Sequence, residues 1–146
     1  MKAALEAAIR GVAEGENPFG AAIIDGHGAL LSAEHNQAKS RNDPSAHAEV
    51  LAIATACNKI GKNSLPDCWL AATCEPCPMC AANAAMTGIR HVVFGANEST
   101  VRAAGFTTLQ LRLAEFARII DFDFEICPGV LEDDCSALLL NHPQEE

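Results

Sequence analysis

Two rhythms of apolar residues run along this chain, one helical and one of short unbroken runs, and together they predict its elements. Leu5, Ala8, Ile9 and Val12 recur at helical spacing beside Lys2, Glu6, Arg10 and Glu14, which predicts a helix over 2–13. Gly15 and Asn17-Pro18 end it. The apolar run 19–24 predicts a strand, Asp25-Gly26-His27-Gly28 a turn tolerant of positive φ, and 29–33 a second strand, so the two form a hairpin. His27 belongs to the turn and is read as exposed, not as a ligand. After a polar loop over 34–42, Asp43 and Pro44 predict a helix start, as N-cap and first helical residue. That helix continues through Val50, Leu51, Ile53, Ala54 and Cys57 to a stop at Gly61. The unbroken run 68–72 predicts a central strand. Glu75-Pro76 breaks it, and Pro78 opens a helix that ends near Thr87-Gly88. A strand over 91–95, a helix over 109–120, a strand over 122–126 and a helix over 132–140 complete the series.

Strands that alternate with helices in the second half require parallel pairing, whereas the hairpin is antiparallel. The expectation is one α/β domain over 1–146, a three-layer α/β/α arrangement around a mixed sheet of about five strands. A length of 146 residues suits one such core. No internal repeat, linker or low-complexity stretch interrupts it.

Composition narrows the function more than the fold. With 49% apolar and 20% charged residues the chain reads as an ordinary folded protein. Its apolar runs are too short for a membrane span, and its first residues lack a cleavable signal, so the cytoplasm is the expected compartment. The net charge of −9 is unevenly spread: no Lys or Arg follows Arg118, while Asp121, Asp123, Glu125, Glu132, Asp133, Asp134, Glu145 and Glu146 do. Such a tail repels phosphates and disfavours nucleic acid, leaving a small uncharged or weakly charged ligand as the expected partner. Lys39 and Arg41 remain as a local basic pair. Seven cysteines, an odd number, fit a reducing compartment better than a full disulfide framework. Cys57, Cys68, Cys127 and Cys135 are read as small core fillers.

The candidate chemistry lies in His47-Ala48-Glu49 and Pro76-Cys77-Pro78-Met79-Cys80. One imidazole and two thiolates form a three-ligand zinc set, and three protein ligands leave a position open for water. Cys77 and Cys80, three apart at a helix start, share a face, and the helix N-terminus favours thiolates. Cys74 precedes the Glu75-Pro76 break and is read as a neighbour, not a ligand. A structural zinc site lacks its second, separate C-x-x-C, and an iron–sulfur run would need cysteine where Ala84 stands. His47 and Glu49, two apart, do not share a helix face, so both reach one site only where that helix end borders a cavity.

With Asn42-Asp43-Pro44-Ser45-Ala46-His47-Ala48-Glu49-Val50 and Cys74-Glu75-Pro76-Cys77-Pro78-Met79-Cys80, the chain resembles the cytidine/deoxycytidylate deaminase superfamily. Within it the resemblance is to the branch of bacterial guanine deaminases, cytosine deaminases and tRNA adenosine deaminases. Pro18-Phe19-Gly20-Ala21 and Asn36 match that branch too, and the likeness runs from about residue 3 to about 140. It implies the cytidine deaminase-like fold and one zinc ion per chain, held by His47, Cys77 and Cys80. Glu49 would take a proton from the attacking water and hand it to a ring nitrogen as ammonia leaves. It further implies that Asn36, the Ala48 N–H and Phe19 line the substrate pocket, and that the protein is a homodimer. Ala104-Gly105-Phe106 resembles the guanine enzymes, but Thr107 and Thr108 stand where those carry acids, one of which reads the purine. Val92-Val93-Phe94-Gly95-Ala96 and the stretch 129–139 resemble the tRNA enzymes, which usually end in a basic helix, unlike this acidic tail. The expected substrate is a free nucleobase or related small aminated heterocycle, of guanine or cytosine type. A tRNA adenosine deaminase is the alternative, and a zinc-binding scaffold without turnover the second. The segment 96–110 is expected to cover the site.

Overall fold

The computed structural model describes residues 1–144; Glu145 and Glu146, the end of the acidic tail, lie outside them. Helix α1 (Lys2–Ala13) leads into the hairpin of β1 (Gly20–Ile24) and β2 (Leu30–His35). The chain continues through α2 (Ala38–Arg41), α3 (Ala48–Ile60), β3 (Trp69–Cys74), α4 (Pro78–Met86) and β4 (His91–Ala96). It closes with α5 (Glu98–Ala103), α6 (Leu113–Ile119), β5 (Glu125–Cys127) and α7 (Glu132–Asn141). The sheet order is β2-β1-β3-β4-β5, with β1 antiparallel to both neighbours and β3, β4 and β5 parallel. This is the α/β cytidine deaminase-like fold, a five-stranded mixed sheet flanked by helices.

Strand alternation divides the core between the two faces. On one, Ile23, Leu70, Val92 and Phe94 pack against Ala52, Ile53 and Ala56 of α3, Ala81 and Ala84 of α4, and Leu113 of α6. On the other, α1 and α7 approach the backbone itself. A Cβ at Gly20 would lie 2.1 Å from the Ala4 carbonyl oxygen, and one at Gly95 would lie 2.4 Å from the Cys135 sulfur. Both glycines therefore stand where a helix presses on a strand. No helix among the described residues is long and apolar enough to cross a membrane.

Several expected boundaries are corrected. Asp43 and Pro44 do not open α3; the Asp43 carboxylate accepts the Ser45 N–H at 2.8 Å and hydroxyl at 2.6 Å, forming a turn instead. Strand β2 runs on to His35, because His35 pairs with Gly20. Helix α6 begins at Leu113, not Leu109, after a stretch that turns toward a cavity with Gln110 at φ 52°. Strand β5 is confined to 125–127, since Phe122 and Phe124 pack on each other, with Arg90 over the Phe122 ring. Helices α2 and α5 arise in stretches whose polar residues give no apolar period. Of the supposed core cysteines, Cys68 and Cys135 are buried and Cys57 is half-buried, but Cys127 on the edge strand is exposed.

Candidate active site

One edge of the sheet gathers the chemistry. Gly20 at the start of β1 pairs with His35 at the end of β2, while Cys74 and Ala96 pair at the carboxyl ends of β3 and β4. The crevice outside the carboxyl ends of parallel strands is where open α/β sheets bind ligands. Phe19, Asn36 and Cys74 follow or precede these strand ends and line a cavity of about 580 Å³ there. A groove of about 640 Å³ between α6 and β5 is larger, yet its lining holds no histidine or cysteine.

Two helix starts face each other across this crevice. Because Asp43 spends its carboxylate on the turn, His47 becomes the N-cap of α3, with an extended backbone at φ −71° and ψ 152°. Glu49 is then the second helical residue, and the change of backbone direction at His47 lets both side chains line the same cavity. Cys77 is likewise the N-cap of α4 (φ −68°, ψ 165°), with Pro78 next and Cys80 on its first turn. The His47 Nδ1 lies 3.7 Å from the Cys77 sulfur and 3.6 Å from that of Cys80, and the two sulfurs are 3.6 Å apart. Tetrahedral zinc with its usual bond lengths sets sulfurs about 3.8 Å apart and nitrogen about 3.6 Å from sulfur. The donor triangle therefore fits zinc. Cys74 stands outside the triad, and its thiol is buried and pushed up.

Electrostatics sort the titratable groups. The neighbouring Cys80 thiol draws the Cys77 sulfur down to about 4, toward thiolate, with help from His47. Cys80, beside that thiolate and buried, is pushed upward. The pair thus gives up one proton easily and the second only to a cation, the behaviour of a metal-ready dithiol. The Cys77 sulfur raises His47 in turn, so its imidazole must lose a proton to ligate. Burial pushes the Glu49 carboxyl above its ordinary range, and the Cys77 charge adds to this. A raised carboxyl suits a group that accepts and returns a proton near neutral pH.

Asn36 is 3% exposed, and its Oδ1 accepts the Ala38 N–H at 3.0 Å. A backbone N–H can only donate, so the oxygen end of the amide is assigned and its NH₂ is the end left for an acceptor on a ligand. Phe19 lines the cavity and meets Phe106 edge to face at 4.8 Å. Ala48 is placed differently: its methyl is buried in the core, and the residue does not line the cavity. Its N–H is among the first-turn donors of α3 that no intrahelical carbonyl reaches.

The far wall comes from the segment after β4. Glu98 of α5 and residues 106–111 line the cavity, so the expected cover over the site is present. Sequence reasoning missed Glu98, whose carboxylate accepts a hydrogen bond from the Thr108 hydroxyl and is mostly buried. The only sequence signal for it was the Asn97-x-x-Thr100 pattern of a helix cap, whose N–H to Oδ1 distance is 3.1 Å. The cavity lining carries Glu49, Glu75 and Glu98 and no Lys or Arg.

Comparison with known proteins agrees with this geometry. Residues 1–96 match the cytidine and deoxycytidylate deaminase zinc-binding region. The chain is 40% identical over 107 residues to guanine deaminase of Bacillus subtilis (strain 168), covering 73% of this chain and 68% of that one. It is 33% identical over 139 residues to the tRNA-specific adenosine deaminase of the same organism, covering 95% and 83%. A solved guanine deaminase from Nitrosomonas europaea superposes with a TM-score of 0.86 at 28% identity, over 95% of this chain and 80% of that one. With its zinc-type His/Cys/Cys set, this chain belongs to the cytidine and deoxycytidylate deaminase family, as a zinc-dependent deaminase of the branch shared by guanine and tRNA adenosine deaminases.

Proposed function

We propose that the protein hydrolyses the exocyclic amino group from a free nucleobase or a similar small aminated heterocycle, of guanine before cytosine type. The observation that carries this reading is the cavity's lining: among the described residues it holds no Lys or Arg, and the mostly buried Glu98 carboxylate forms part of it. A substrate bearing phosphates would find no lining cation there to neutralise it, whereas a base presents N–H donors that a carboxylate accepts. The identity with a guanine deaminase supports the purine choice.

His47, Cys77 and Cys80 would hold a zinc ion, which would supply Lewis-acid activation of water near neutral pH. Glu49 is placed to carry both protons of the attacking water, one to the ring nitrogen as the carbon–oxygen bond forms and the other to the leaving amino group. The carbon–nitrogen bond to the amino group then breaks, and the products are ammonia and the oxo base. Phe19 and Phe106 present aromatic surface to the ring, and the Asn36 NH₂ donates to an acceptor on it. The Ala48 N–H, at the same helix start, is a further donor toward the reacting end. The same reading carries a homodimer, supported by Met86 on α4 and Ile119 on α6, which are 87% and 70% exposed.

The tRNA adenosine deaminase reading is favoured by one observation, that the likeness to such an enzyme spans 95% of the chain. Ammonia release decides between them, measured on guanine, cytosine, adenine, their nucleosides and an anticodon stem-loop, with Glu49→Ala alongside. Release from a free base, lost in Glu49→Ala, is the expected result. Release from the stem-loop alone would assign the function to tRNA, and zinc binding without any release would favour a scaffold.

A further inference from the structure

Glu75 lies between the end of β3 and the zinc-type loop, and its side chain is 4% exposed although it carries a carboxylate. It serves neither as ligand nor as proton carrier. Its Oε2 accepts the backbone N–H of Glu98, the first residue of α5, at 3.2 Å. Its Oε1 accepts the backbone N–H of Leu113, the first residue of α6, at 2.9 Å. The Arg112 Nε donates to both oxygens, at 2.8 and 3.1 Å. A single carboxylate thus holds two helix starts, and those starts bracket the whole segment 104–112 that walls the cavity opposite Glu49.

We infer that Glu75 is a positioning residue for substrate: it latches both ends of the pocket wall to the loop that carries Cys77 and Cys80, and so sets the distance between the wall and the reacting end. Three features support the latch over a local cap. A cap satisfies one helix, whereas this carboxylate satisfies two that are separated by nine residues of irregular chain. That intervening chain includes Gly105 and Gln110 at positive φ, and among the described residues backbone hydrogen bonds hold only its first part, from Ala104 to Phe106. Glu75 also extends the β3–β4 pairing through its own N–H, which donates to the Ala96 carbonyl at 2.8 Å, so the anchor point is part of the sheet. The wall carries the Glu98–Thr108 pair and Phe106, which makes the latch a determinant of substrate fit and not of the proton transfer.

The latch rests on the proposed deaminase reading for its effect on substrate, but its effect on the wall can be read without turnover. Glu75→Gln keeps the shape and loses one acceptor oxygen. Hydrogen–deuterium exchange is expected to quicken about tenfold at the Glu98 and Leu113 amides and across 104–112, with exchange in α4 and zinc content unchanged. With the best base of the panel, KM is expected to rise about tenfold while kcat stays within about threefold. Arg112→Gln, a half-exposed position, should move both readouts in the same direction by less, and carries the test if Glu75→Gln does not fold. Unchanged exchange over 98–113 in both variants overturns the latch. So does a fall in kcat with zinc loss and an unaltered KM, since Glu75 would then act through the metal loop. A wild type that releases ammonia from no free base sinks the substrate reading, while the exchange data still decide the latch.

Discussion

The two sides of the cavity are built on different principles. The reacting side consists of two helix starts on regular elements, with His47 and Cys77 as N-caps and Glu49 and Cys80 within the first turns. Their positions follow from α3 and α4 packing by alanines onto the sheet, so the donor atoms stand within 3.7 Å of one another in the protein itself. The opposite side is an irregular chain between two short helices, held at both ends by one carboxylate. Chemistry common to a family can rest on the rigid side, while a change of substrate needs only the other. The relatives fit that division, since this chain resembles both guanine deaminases and tRNA-specific adenosine deaminases, and residues 1–96 match the family's zinc-binding region.

Breaking the reacting side should have the largest effect. Cys80→Ala is expected to lose zinc, to lose ammonia release entirely, and to melt at a temperature no longer raised by added zinc. Metal analysis and thermal melts with and without zinc check this. Glu49→Gln should lower kcat by about 10²–10⁴-fold at wild-type zinc content. A fall of less than tenfold would remove Glu49 from the proton transfer. On the wall, Glu98→Gln should raise KM about tenfold for a base with adjacent N–H donors and leave kcat little changed. If KM is unmoved, the wall carboxylate does not touch the ring, and the comparison loses its specificity half.

The smallest effect concerns a contact that belongs to neither side, beside Asn17 and Ala38 of the cavity lining. Glu16 accepts the Ser40 N–H at 2.8 Å and the Lys39 N–H at 3.1 Å, tying α2 to the loop after α1. Burial raises its carboxyl, but the Ser40 and Lys39 hydrogen bonds outweigh this and hold it below its ordinary value of 4.5. A depressed carboxylate stabilises the fold above its unfolded value, and that contribution is lost as pH falls through the folded value. Thermal melts between pH 6 and 3 should show a shallower acid limb in Glu16→Gln, with KM and kcat at neutral pH unaffected.

The sequence by itself determined the order of the longer elements, the mixed sheet and the metal triad, but not the short helices α2 and α5. Helical and strand periodicities survive wherever an element packs against one core, and the H-x-E and C-x-x-C spacings set the donors on helix starts whichever partners they meet. What it placed wrongly was local competition. Asp43 and Pro44 have the chemistry of a helix start, and only the folded chain shows Asp43 committed to Ser45, which moves the start to His47 and resolves how residues two apart serve one cavity. The edge strand β5 and Cys127 were misjudged because half-exposed positions there do not keep a strict apolar period. Tertiary structure alone decided the pocket wall. Glu75 and Glu98 are 23 residues apart, and Glu75 and Leu113 are 38 apart, so no periodic pattern links them. Their meeting depends on α5 and α6 both turning back to the carboxyl edge of the sheet, a long-range arrangement that local spacing does not encode.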